Sequence, residues 1–180
     1  ALLRAIHHAK THKSALHLLG MTSDEGVHAH LNHLFALLDL AKKHNLKQVF
    51  IHAITDGRDV GEKTAKTYLK QIETKTKKLG IGSIATIIGR YYAMDRDRNY
   101  SRTKKSYQLL VYGQGINEKK PLQAIDNAYK RGDATDYYLK PMLLDKQGLI
   151  KHQDSVIFFN FRTDRARQLT DAFTDPKFQE

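Results

Sequence analysis

Short apolar runs alternate with amphipathic helical stretches along this chain, and that alternation is what most narrows its fold. The runs cover residues 14–19, 49–54, 84–88 and 155–159. Buried strands of a parallel sheet read as such continuous apolar runs rather than as strict alternation. Between them the apolar residues return to a spacing of three and four. Residues 28–44 are the clearest case, with Leu31, Leu34, Phe35, Leu37, Leu38 and Ala41 on one stripe. Further helices are predicted over 1–13, with Leu2, Leu3, Ile6 and Ala9 inward, and over 62–79, closed by Gly80. The others span 99–112, 121–130 and the stretch from Arg165 to Phe173. Pro121 suits a helix start and Gly132 a stop. Residues 133–153 read as irregular, with two short strands near Tyr138 and Leu149. The expectation is an α/β fold: a mostly parallel sheet flanked by helices on both faces, in a single domain.

Composition sets the partners. The chain has 180 residues, 41% hydrophobic and 27% charged, an ordinary globular balance. It carries 30 Lys+Arg against 19 Asp+Glu, a net +11, which favours anionic partners such as nucleic acid, acidic membrane or phosphorylated small molecules. The lack of cysteine excludes disulfides and thiolate chemistry. No apolar run reaches the ~18 residues of a membrane span.

Polar signals fall at the ends of the runs. Arg58, Arg90, Arg96, Arg162 and Arg165 all follow predicted strands, whereas the helix faces carry mainly lysine. In α/β sheets, ligands bind at the carboxyl ends of the strands. Guanidinium groups there take carboxylate or phosphate bidentately. Asp59, beyond the turn Thr55-Asp56-Gly57-Arg58, suits a general base or acid acting on a substrate hydroxyl. It could equally be a helix cap or a simple ion pair. His28, His30 and His33 have the types for a metal site, but no further ligand cluster stands at a characteristic spacing. His28 reads better as a donor to a bound acid at a helix start. Asp95, Arg96 and Asp97 could also form a solvent-exposed loop, and Tyr91 and Tyr92 suit packing.

Four blocks carry a family resemblance. They are Ser23-Asp24-Glu25-Gly26-Val27-His28-Ala29-His30, His52-Ala53-Ile54-Thr55-Asp56-Gly57-Arg58-Asp59, Gly89-Arg90-Tyr91-Tyr92-Ala93-Met94-Asp95-Arg96-Asp97 and Phe158-Phe159-Asn160-Phe161-Arg162-Thr163-Asp164-Arg165. In this order they resemble the inserted phosphotransferase domain of the cofactor-independent phosphoglycerate mutase family. The resemblance implies a cytoplasmic, monomeric isomerase of glycolysis and gluconeogenesis that interconverts 3-phosphoglycerate and 2-phosphoglycerate. It implies substrate contacts from His28, Arg58, Asp59, Arg90, Arg96, Arg162 and Arg165, with Asp59 moving the proton. It places a nucleophilic serine and two manganese ions on a phosphatase-like domain outside this chain, and no cofactor within it. On this reading residues 1–180 are one domain, inactive in isolation, and 1–13 and 174–180 link it to the other. Val60-Gly61-Glu62 and Thr163 stand where the family usually carries prolines (or alanine, at Thr163), which bears on loop rigidity only. The alternative is a non-enzymatic basic module for anions or nucleic acid, though no nucleic-acid motif is present.

Overall fold

The computed structural model describes residues 1–178. Helix α1 (Leu2–His12) leads into β1 (Leu16–Met21), α2 (Leu31–Lys43), β2 (Val49–Thr55), α3 (Ala65–Leu79) and β3 (Ser83–Gly89). After β3 come a single helical turn α4 (Arg90–Ala93), α5 (Tyr100–Tyr112), β4 (Ile116–Asn117), α6 (Pro121–Lys130), β5 (Met142–Leu143), β6 (Ser155–Phe158) and α7 (Arg167–Thr174). Among the described residues the strands form one six-stranded sheet in the order β4-β5-β3-β2-β1-β6. Strands β3, β2, β1 and β6 run parallel, and β5 is antiparallel to β3.

The expected α/β architecture with helices on both faces is the one observed. Helix α2 packs on α3, and α3 on α6; separately, α5 packs on α7 and against β3. Strands β1 and β2 are buried at every position, which is why their sequences run apolar without alternation. Edge strand β6 alternates instead, with Val156 exposed. One contiguous core joins Leu16, Leu18, Ile51 and Ile87 of the sheet to Leu34, Leu38, Leu69 and Ile72 of the helices. Truncating any of these to alanine costs about 2–5 kcal/mol. No described helix is long and apolar enough to cross a membrane.

Several boundaries differ from the sequence reading. Helix α2 begins at Leu31 rather than at residue 28, because His30 is the cap: its Nδ1 accepts the Asn32 N–H. Asn45 takes the left-handed conformation just past the end of that helix. Leu2 and Leu3 are exposed, so only Ile6 and Ala9 of the expected α1 stripe are buried. The strands expected near Tyr138 and Leu149 are 3-10 turns at Asp136–Tyr138 and Lys146–Gly148; the strand of that region is β5. Two-residue strands such as β4 and β5 are set by the neighbour they pair with and leave no periodic signal. Of the terminal stretch expected to act as a link, Gln179 and Glu180 lie outside the described residues.

The sheet also encloses a polar chain. Asp154 Oδ2 accepts from His17 Nε2 at 3.1 Å, His17 Nδ1 meets His52 Nε2 at 2.9 Å, and His52 Nδ1 meets Thr86 Oγ1 at 2.9 Å. A carboxylate only accepts, so His17 carries its proton on Nε2. Its Nδ1 then accepts from His52 Nε2–H, and His52 Nδ1 accepts from the Thr86 hydroxyl. Every link holds one proton and both imidazoles are neutral. Burial lowers the pKa of each, most strongly that of His52.

Candidate active site

The carboxyl ends of β1, β2, β3 and β6 open on one edge of the sheet. Asp56, the first residue beyond β2, organises it. Its Oδ1 accepts the backbone N–H of Arg58 at 3.2 Å and of Asp59 at 3.0 Å, folding the turn back on itself. Gly57, at φ 64°, supplies the left-handed residue the turn needs. Asp56 Oδ2 accepts the Ser23 hydroxyl at 2.8 Å and so ties the loop after β1 to the loop after β2.

Arg90, the first residue of α4, reaches into this turn. Its NH1 donates to Asp56 Oδ1 at 2.6 Å and to Asp59 Oδ2 at 2.5 Å, and its NH2 donates to His28 Nε2 at 3.0 Å. The Arg90 and Asp56 side chains are 2% and 1% exposed, so this is a fixed ion pair. Burial disfavours the Arg90 charge, but Asp59 and Asp56 outweigh it and raise its pKa. A guanidinium only donates, so His28 Nε2 accepts and the neutral ring carries its proton on Nδ1. Burial, then Arg90, lowers the His28 pKa and keeps that ring neutral. His28 is buried in the loop ahead of α2, not at the helix start expected for it. Its contact with Arg90 draws it below the surface.

The outer rim belongs to the loops after α4 and β6. Arg96 NH1 donates to Asp164 Oδ2 at 2.7 Å, and Arg162 Nε lies 3.0 Å from Asp164 Oδ1. Asp164 Oδ1 in turn stands 4.0 Å from His28 Nδ1. Arg165 NH1 donates to the Met94 carbonyl at 3.1 Å. Burial, then repulsion from Arg96, Arg90 and Arg58, lowers the Arg165 pKa. Arg165 thus lies within electrostatic reach of Arg96, Arg90 and Arg58. Arg58 itself is exposed at the mouth. A cavity of about 490 Å³ opens beside Arg96 and Asp164 toward Arg98, Arg167 and Lys177.

His28, Arg58, Asp59, Arg90, Arg96, Arg162 and Arg165 thus gather at one edge, as four separate sequence blocks predicted. The structure adds three particulars. Arg90 opens a single helical turn directly after β3. Asp95 is not solvent-exposed: it is buried and accepts the N–H groups of Asp97 and Asn99 and the side chains of Arg102 and Gln168. The acidic partner of the first arginine turn is double, since Asp56 as well as Asp59 holds Arg90. Asp56 escaped the sequence reading because nothing in an Asp-Gly-Arg-Asp turn says which carboxylate points inward, and Asp164 because its contact with Arg96 joins loops 68 residues apart.

The histidine triplet does not converge. His28 meets Arg90, His30 caps α2, and the His33 ring packs edge-on against Phe161. Asp56, Asp59 and Asp164 each face a guanidinium, an arrangement that repels a cation. Among the described residues no group of three His, Asp or Glu could hold a metal ion. The manganese ions implied by the resemblance do not fit this part of the protein.

Fold and site together define a parallel α/β domain with a buried arginine–carboxylate cluster at its switch-point edge. The sequence profile described as "BPG-independent PGAM N-terminus (iPGM_N)" matches residues 1–180, and the chain belongs to that family. It is 52% identical over 182 residues to the 2,3-bisphosphoglycerate-independent phosphoglycerate mutase of Moorella thermoacetica, covering 99% of this chain and 35% of that protein. The corresponding mutase of Clostridium novyi is 46% identical, again with 99% and 35% covered. A crystal structure of Leishmania mexicana phosphoglycerate mutase, determined at low cobalt concentration, superposes with a TM-score of 0.89 at 28% identity, covering 99% of this chain and 38% of that one. The chain spans about a third of the length of the relatives it matches.

Proposed function

We propose that this chain is the substrate-holding domain of a phosphoglycerate mutase that interconverts 3-phosphoglycerate and 2-phosphoglycerate. The observation that carries the reading is the convergence of Asp59, His28 and the arginines of three loops at one sheet edge, in a chain of this family. The rest of the relatives' length supplies the serine that carries the phosphoryl group and the site for two manganese ions. Arg96, Arg162 and Arg165 at the rim bind the phosphate and carboxylate, with Arg58 at the mouth. Arg90, held by Asp56, fixes Asp59 beside His28. While the phosphoryl group is on the serine, the Asp59 carboxylate takes the proton of the hydroxyl to be phosphorylated and passes it to the oxygen just vacated, ending as the carboxylate it began. Held this way, glycerate stays oriented through the exchange. The reading brings with it a cytosolic, monomeric enzyme whose isolated domain is inactive and whose residues 1–13 and 174–180 are links. Family membership favours this over a nucleic-acid module, which the net charge would have allowed.

Asp59→Asn in the full-length enzyme tests the proton step. It should lower kcat by about 10²–10⁴-fold, the usual worth of a general acid–base group, with KM nearly unchanged. Full turnover in that variant removes Asp59 from the mechanism.

A further inference from the structure

The site holds a carboxylate that the proposed chemistry does not use. Asp164 sits between Arg96 and Arg162, contacting each at 2.7 and 3.0 Å. We propose that Asp164 is a resident counter-anion: it occupies the places on Arg96 and Arg162 that a phosphorylated acid takes, and it must move aside when that acid binds. This rests on the phosphoglycerate reading and adds to it the group that sets the affinity.

The contrast between base and rim supports the assignment. At the base, Asp56 accepts four hydrogen bonds and its side chain is 1% exposed, so the Arg90 pair is fixed. At the rim, Asp164, Arg96 and Arg162 are 34%, 44% and 48% exposed, free to repack. The resident carboxylate is also poorly satisfied. Its Oδ1 is shielded from solvent and accepts no well-formed hydrogen bond among the described residues, although Arg162 Nε stands 3.0 Å away as an ion-pair partner. Facing it at 4.0 Å is His28 Nδ1, equally shielded and without a hydrogen-bond partner among the described residues. The tautomer derived above puts the His28 proton on that nitrogen. A buried donor and a buried acceptor thus face each other beyond bonding distance, each at a cost. An acid that takes Arg96 and Arg162 and places an oxygen on His28 Nδ1–H removes both defects. The base would stay as it is, and only the rim would exchange partners.

The experiment is a titration of the 180-residue chain with 3-phosphoglycerate, followed by amide shifts. Asp164→Asn keeps the shape and removes the charge. Two partly exposed ion pairs released together correspond to about a fivefold fall in Kd. Asp97→Asn adds the same unit of charge on the loop of Arg96 and should move Kd by about twofold or less. Asp164→Ser gives a second reading without the carboxylate. Unchanged or weaker binding in both Asp164 variants would overturn the counter-anion while leaving the phosphoglycerate reading in place, since the wild-type chain still binds. So would equal tightening in Asp97→Asn, which would make the effect one of net charge. If the wild-type chain shows no saturable shifts at all, the phosphoglycerate reading fails and the counter-anion fails with it.

Discussion

The Asp56 side chain is buried below the mouth of the site, yet it sets the position of everything at the base. One of its oxygens serves the Arg58 and Asp59 N–H groups and the Arg90 guanidinium; the other takes the Ser23 hydroxyl. Removing one member of a buried ion pair strands the other, at about 3–5 kcal/mol. Asp56→Ala should therefore lose about that much stability in denaturant unfolding. It should also release Arg90 from its fixed position and weaken 3-phosphoglycerate binding. A loss below about 1 kcal/mol would show that Asp59 alone suffices to hold Arg90. Asp59 was legible in the sequence through its place beyond the glycine turn. Its neighbour was not, because both aspartates offer the same chemistry and only the direction of the backbone separates them.

At the scale of elements, the turn at Asp136–Tyr138 serves as both a cap and a floor. Asp136 Oδ2 accepts the N–H groups of Thr64 and Ala65, 72 and 71 residues away, and so caps the start of α3. Its Oδ1 accepts the Tyr129 hydroxyl, and its carbonyl accepts that of Thr55 at the end of β2. The following backbone lies so close to the site loops that two glycines are required. A Cβ on Gly57 would stand 2.5 Å from the Tyr137 nitrogen, and one on Gly89 would press still closer to the Tyr137 carbonyl oxygen. Gly89 has φ −68°, so its requirement is steric and not conformational. Gly132 is the reverse case, at φ 90° with nothing within 4 Å of the place a methyl group would take. Gly132→Ala should cost about 1–2 kcal/mol, the penalty of a left-handed alanine. Gly89→Ala forces backbone apart and should cost more, about 3 kcal/mol. Thermal unfolding of the two variants checks the order, and a reversed order would refute the steric account. A helix start capped from so far along the chain leaves no local signal, which is why α3 was expected from residue 62 and begins at Ala65.

For the whole molecule, the histidine chain inside the sheet couples stability to pH. His17 and His52 are neutral in the fold, with pKa values lowered by burial, while in the unfolded chain they titrate near 6.5. As pH falls below about 6.5 the unfolded state takes up protons that the folded state refuses. Stability is therefore full above that pH and lost as pH falls toward the folded values. The denaturation midpoint should drop between pH 7 and 5. His52→Gln should lower stability overall while making that slope shallower. A midpoint flat across this range would mean that the chain of Asp154, His17, His52 and Thr86 does not stay neutral.

The order of the main strands and helices, and the three post-strand segments that carry the arginines, could be read from residue spacing, because burial on both faces of a parallel sheet demands continuous apolar runs and a helix demands a spacing of three and four. Those signals are local and repeat. Which carboxylate holds Arg90, why Asp95 is buried, what caps α3 and how two histidines share protons across three strands were settled only when distant segments met. Each depends on a single directed contact, and a single contact between residues far apart has no period for a sequence to display.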